Sequence, residues 1–318
     1  MKLVITIDTE EDNWGGYDAK EYTLANILKI PALQDLFDRF SVKPTYLITY
    51  PVATDEGSLS ILRGIQEGNR CEIGTHCHPW NTPPIEEEKT EKNSMLCNLP
   101  SDLQYKKLNV LHETIRKNVG VAPRSFRAGR WGYGRDVAKN LHALGYKIDT
   151  SISSYTDWTC YHGPDFSDAS PRPYRFSLDD IFREAPGGPM AEIPATVGFL
   201  QRDFSSSNAL LKKLSRKPVS KLRLVGILSR LRLLNKIWLS PELSDAKNMI
   251  KLTKRMIKNN YTLFNMSFHS TSLKAGLSPF VRTEEDEKEF LKRIGDYLAY
   301  AKDEGIQSSM ISESTDLV

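Results

Sequence analysis

Glu72-Ile73-Gly74-Thr75-His76-Cys77-His78-Pro79 is a short extended run that ends in two histidines one residue apart. On a strand, residues i and i+2 point to the same face. His76 and His78 therefore present two imidazoles to one point, while Cys77 is directed away. Two nitrogen donors suit a borderline cation such as Zn²⁺, which needs a third hard donor and, for catalysis, an open position. The pair alone fits equally well one histidine capping a turn and the other packed in a core. The metal reading depends on whether the rest of the chain offers a carboxylate, a base and an acid.

The chain opens on such carboxylates. Residues 3–7 are an apolar, β-branched run that predicts a buried strand. Asp8-Thr9-Glu10-Glu11-Asp12 follows, and an extended backbone places Asp8, Glu10 and Asp12 on one face. Acids this dense repel one another unless water, a cation or arginine offsets them, the alternative being an exposed acidic loop. Helical periodicity over 21–40, a strand over 44–49 and a helix over 59–67 then lead into the histidine strand. This alternation predicts a parallel sheet with helical crossovers. Functional loops in such folds lie at the carboxyl ends of strands, so Asp8 and His76 share a rim.

Beyond it, 81–98 reads as a polar loop and 102–118 as an amphipathic helix with His112 on its surface. Ser125-Phe126-Arg127-Ala128-Gly129-Arg130-Trp131-Gly132 reads as a strand end with two arginines and flexible glycines. A helix over 135–144 and a strand over 146–150 carrying Asp149 come next. Residues 156–175, with His162, are rich in Pro, Asp and aromatics and read as an ordered functional loop; 192–197 is a further strand candidate. After a helix over 246–258, a strand over 261–268 ends at His269-Ser270-Thr271-Ser272. A helix over 284–301 and a short strand within 306–311 complete the alternation.

Composition sets the outer limits. The 318 residues hold 40% apolar side chains, enough for a sizeable core, and 43 basic against 40 acidic residues. A net charge of +3 leaves no global nucleic-acid footprint. Cys71, Cys77, Cys97 and Cys160 show no CxxC spacing and are expected reduced. With neither a signal peptide nor a transmembrane stretch, the expected location is the cytoplasm. One region breaks the pattern: residues 210–238 carry nine basic residues, among them Lys212, Lys213, Arg216, Lys217 and Lys221, interleaved with leucines and without one acid. It reads as a solvated helical excursion, or as an amphipathic patch meeting an anionic lipid surface or glycan at the inner face of the membrane.

Four strand ends thus carry Asp8/Glu10, His76/His78, Arg127/Arg130 and His269. In that order they resemble the polysaccharide deacetylase family, also called the NodB homology domain or carbohydrate esterase family 4, over nearly the whole chain. Thr6-Ile7-Asp8-Thr9-Glu10 is similar to its Thr-Phe-Asp-Asp-Gly element, and Glu72 to His78 to its His-Ser/Thr-x-x-His element. Residues 127–131 are similar to its Arg-turn-aromatic element, and Phe268-His269-Ser270 to its final strand ending in His. The Asp-x-Glu and His-x-His-Pro spellings depart from the usual ones and mark a divergent branch.

The resemblance implies one domain over 1–318, a distorted (β/α) barrel of seven or eight strands, with a basic insertion at about 205–243. It implies a divalent metal, Zn²⁺ or else Co²⁺ or Ni²⁺, held by His76, His78 and Glu10, or Asp12 in its place. Asp8 would be the general base, Arg127 its partner and His269 the general acid. A backbone N–H within 129–131 would face the oxyanion, and Arg130, Trp131, Asp149 and His162 are candidate substrate contacts. The implied reaction removes an N-acetyl group from an acetamido sugar of an envelope polysaccharide or its lipid-linked precursor. The rival reading is a catalytically inactive relative that binds glycan or lipid.

Overall fold

The structure, a computed structural model, describes residues 1–12, 14, 16, 17, 21–215 and 224–317. Its centre is a sheet whose strands are β1 (Lys2–Thr9), β2 (Thr45–Ile48), β3 (Glu72–Cys77), β4 (Ser125–Ala128), β5 (Ile148–Asp149), β6 (Tyr174–Ser177), β7 (Asp180–Glu184) and β8 (Met190–Glu192), then β11 (Leu263–His269) and β12 (Gln307–Ser308). β9 (Val197–Phe199) and β10 (Lys236–Trp238) form a separate antiparallel pair. The main order is β11-β1-β2-β3-β4-β5-β8-β6-β7, with β12 beside β1. From β11 to β8 every pairing is parallel, and β6–β7 is an antiparallel hairpin against β8.

Side-chain alternation divides each strand between two environments. On β1, Leu3, Ile5 and Ile7 join the large core beneath the helices, as do Ile73 and Cys77 on β3 and Phe126 and Ala128 on β4. The alternate positions point inward. There Val4, Ile148, Ile193 and Leu263 meet Ile311 in a small apolar cluster. Above it lies a polar layer: Thr6 Oγ1 donates to Asn265 Oδ1, and Asn265 Nδ2 donates to Thr150 Oγ1. Asp8, His76 and His269 occupy the inward positions beyond that layer, at the strands' carboxyl ends. The two ends of the parallel row are also joined, because Thr196 N donates to Asn265 O and Ser267 N to Leu239 O. The α/β barrel expected from the sequence is what the chain adopts.

Several local expectations are corrected. Helix over 21–40 begins only with a 3-10 turn at Ile27–Lys29 and the helix Ile30–Arg39. Asn26 is held instead by Nδ2 bonds to Glu10 O and Ser270 Oγ, and Pro31 suits a helix's first turn. The strand over 192–197 divides into β8 and β9, since the chain past Pro194 crosses to β11. His112 is buried (8% exposed) against Tyr146, not on the surface. The β6–β7 hairpin carries no NG or DG turn and was not expected. The basic stretch forms helices Phe204–Ser215 and Leu224–Arg230 followed by β10, and Arg216, Lys217 and Lys221 lie outside the described residues. All four cysteines are free.

Candidate active site

The inward ends of β1, β3, β4 and β11 line a cleft of about 470 Å³. On its floor Glu10 Oε2 lies 3.4 Å from His76 Nε2 and 3.2 Å from His78 Nε2. One ligand atom from each of the three residues lies within 4.8 Å of the others, and all three are buried. The two imidazoles meet edge to face, 4.6 Å between centroids, as the i, i+2 spacing predicts.

The far nitrogen of each ring is already engaged. His76 Nδ1 is 3.0 Å from Arg127 O, and His78 Nδ1 is 3.1 Å from Glu11 Oε1. An imidazole that donates through Nδ1 keeps the Nε2 lone pair for a cation. Glu11 is fixed in turn by Thr49 Oγ1 (2.9 Å) and Asn81 Nδ2 (2.6 Å). Asp12 points elsewhere and accepts from the backbone and hydroxyl of Thr23, so Glu10, not Asp12, belongs to the cluster.

Charge supports the same donor set. Asp8, Glu10, Glu11 and Glu242 are carboxylates with nearly buried side chains, and Arg127 is the buried guanidinium among them. Burial disfavours an ionised Glu10, yet hydrogen bonds from His76 and His78 outweigh it and hold the carboxyl well below its ordinary range. Burial likewise disfavours a charged His78, but Glu10 and Glu11 push its pKa up to about 9. The pocket calls for positive charge, and a divalent ion on three convergent donors would supply it.

Asp8 sits beside this cluster. Arg127, 1% exposed, donates Nη1 to Asp8 Oδ1 at 2.7 Å, Nη2 to Thr6 Oγ1 at 2.6 Å and Nε to Thr150 O at 2.9 Å. Burial would raise the Asp8 pKa, but Arg127 foremost, with His76 and His269, keeps it below its ordinary value. On the neighbouring strand His269, the register partner of Asp8, has Nε2 3.6 Å from Asp8 Oδ2 and Nδ1 3.0 Å from Glu242 Oε2. Burial works against its charge, while Glu242 foremost lifts its pKa to about 10. Glu242 also accepts from the His269 amide and from Ser272 Oγ.

The walls are aromatic. Trp131 stacks on Trp158 (6.3 Å, 12°) and leans on Trp238 (5.9 Å). Trp80 stacks on His78 at 4.2 Å, and Trp14 meets His269 edge-on at 4.7 Å. Arg130 lines the cleft but is tied back, with Nη2 3.2 Å from Glu91 Oε1 and its guanidinium over Tyr17. Arg130 and Trp131 both have positive φ (53° and 62°), so a tight turn carries them to the rim. The Gly132 and Tyr133 amides are consumed inside that turn, by Gly129 O and Trp131 O.

Asp149 and His162 do not line the cleft. Asp149 is fully buried, accepts from Ser151 N and Oγ, and pairs in register with Glu192; Ser151 Oγ in turn accepts from Ala128 N. His162 is exposed, its backbone carbonyl accepting from Asn98. The loop around it does reach the cleft, through Trp158 and Tyr161. Sequence reading missed Glu242, which sits in a Ser-Pro-Glu-Leu turn with no spacing to mark it, and the positioning contact of Glu11.

No protein-family model matches the chain, and no curated protein matches it in sequence. In structure it is similar to a Parabacteroides distasonis protein assigned as a glycoside hydrolase/deacetylase, with TM-score 0.58, 10% identity, and 96% of this chain and 69% of that one covered. It is also similar to the 4-alpha-glucanotransferase of Thermococcus litoralis, with TM-score 0.56, 12% identity, and 100% and 40% covered. A Mycobacterium smegmatis protein assigned as a polysaccharide deacetylase aligns with TM-score 0.49, 14% identity, and 98% and 93% covered. The likeness is one of fold: the chain shares an α/β fold with these proteins. No helix among the described residues is long and apolar enough to cross a membrane.

Proposed function

We propose that this chain is a metal-dependent N-deacetylase of an acetamido sugar in an envelope polysaccharide or its lipid-linked precursor. The convergence of Glu10, His76 and His78 beside the Asp8–Arg127 and His269–Glu242 pairs carries the reading. A divalent ion, Zn²⁺ or else Co²⁺ or Ni²⁺, would sit on Glu10, His76 and His78 and supply Lewis-acid polarisation of the amide carbonyl. Asp8, kept ionised by Arg127, takes the proton of the attacking water. His269, kept protonated by Glu242, gives a proton to the departing nitrogen as the C–N bond breaks, releasing acetate and a free amine. Trp131, Trp158 and Trp238 offer flat apolar faces against which a sugar ring packs.

The test compares wild type with His76→Ala/His78→Ala for metal content and for acetate released from N-acetylated sugars. About one divalent ion per chain, lost in the double variant together with turnover, is the expected result. A protein that takes up no Zn²⁺, Co²⁺ or Ni²⁺ would overturn the hydrolase and leave the binding protein.

A further inference from the structure

The basic segment has a feature the barrel does not explain. Leu210, Ile227, Leu231, Leu233 and Leu243 are 41–62% exposed, so five of the thirteen large apolar side chains turned to solvent among the described residues fall within this short stretch. They are not failed core positions, because neighbours in the same stretch do pack inward. Leu234 is buried, and Leu211, Leu214 and Leu228 lie against the main core. The outward leucines alternate with exposed cations, Arg230-Leu231-Arg232-Leu233, and Lys213 follows Leu210 by three residues on its helix.

Residues 210–238 hold no acid; Lys212 pairs with Asp168 at 2.7 Å, while Lys213, Arg230 and Arg232 are exposed. Apolar side chains fringed by arginine and lysine are what an anionic lipid interface accepts: the leucines enter the acyl boundary and the cations meet headgroup phosphates. A protein partner of ordinary composition would meet this surface with complementary carboxylates and no requirement for lipid. The segment then runs into Trp238 and Leu243, both of which line the cleft.

We infer that the surface carrying Leu210, Lys213, Ile227 and residues 230–233 docks the chain on an anionic bilayer surface with the cleft opening beside the lipid. This rests on the proposed function only for its purpose, since docking is measurable without turnover. The experiment is flotation of the full chain with phosphatidylcholine vesicles containing about one-third phosphatidylglycerol. The expected result is binding at about 0.1 M salt that weakens at about 0.5 M, as screening of phosphate contacts demands. Binding to pure phosphatidylcholine should be at least about tenfold weaker. Leu231→Ser/Leu233→Ser should weaken binding about tenfold or more by removing the inserted side chains. Arg230→Gln/Arg232→Gln should weaken it severalfold and flatten the salt dependence. Release of acetate from a water-soluble acetamido sugar should stay at the wild-type rate in both variants, which separates failed docking from a failed enzyme. Absence of wild-type flotation with the anionic vesicles overturns the inference. So does flotation unchanged by the leucine variant, or a wild-type dimer that the leucine variant converts to monomer without vesicle binding.

Discussion

His269 touches two carboxylates with its two nitrogens: Nδ1 is 3.0 Å from Glu242 Oε2 and Nε2 is 3.6 Å from Asp8 Oδ2. A ring so placed keeps its proton to about pH 10, and Glu242 is the foremost source of that affinity. The two carboxylates differ in that only Asp8 is also held by Arg127.

Glu242→Gln removes the charge behind the ring. The imidazolium loses its strongest stabiliser, the His269 pKa falls, and the acid form disappears at lower pH. The basic limb of the kcat/KM profile for acetate release should therefore move down by about 1–2 units, with the acidic limb little changed. A basic limb that stays in place would show that His269 is not the acid.

Glu11→Gln tests the support of His78. It removes a carboxylate from Nδ1 while leaving all three donors in place. Zn²⁺ affinity, measured by competition with a chromogenic chelator, should fall about 10–100-fold, and excess Zn²⁺ should restore one ion per chain.

Arg127→Met leaves the Asp8 carboxylate buried with its main partner gone. Unfolding in urea at pH 7 should show a loss of about 3–5 kcal/mol. Asp8 ordinarily titrates near 3.8 and is held lower in the folded chain, so its contribution is complete above that value and fades as pH falls through the folded pKa. The difference between wild type and variant should narrow accordingly in acid. Asp8→Asn/Arg127→Met should recover part of the loss.

Gly129→Ala places a methyl group 2.2 Å from His78 Cδ2 and 2.8 Å from Cys77 O. One of the two histidine donors must move. The expected outcome is destabilisation of about 1–3 kcal/mol, with metal content falling alongside. Gly64→Ala, where a Cβ meets nothing within 4 Å and φ is not positive, controls for general glycine effects.

The candidate site was readable because its residues stand at strand ends in a fixed order. The alternation along the chain states which side chains share a face, and the structure brings Glu10, His76 and His78 together. Glu242 and the tryptophan wall were not readable for the opposite reason. They reach the cleft from loops and from β10, and pairings between distant segments leave no period in the chain. Asp149 shows the limit of strand-position reading. It occupies a strand position like those of the site, but its side chain is engaged by Ser151 two residues on.

The Asp8–Arg127 contact spans β1 and β4, which are separated in the sheet by β2 and β3. In a flat sheet those strands would stand about 14 Å apart, three times the strand spacing. The pair can therefore form only after the sheet has rolled up, and the donors on β3 and the β1 end come together in the same event. Assembly of the candidate site thus requires the rolled sheet, and on the proposed function Zn²⁺ uptake during refolding would time that rolling.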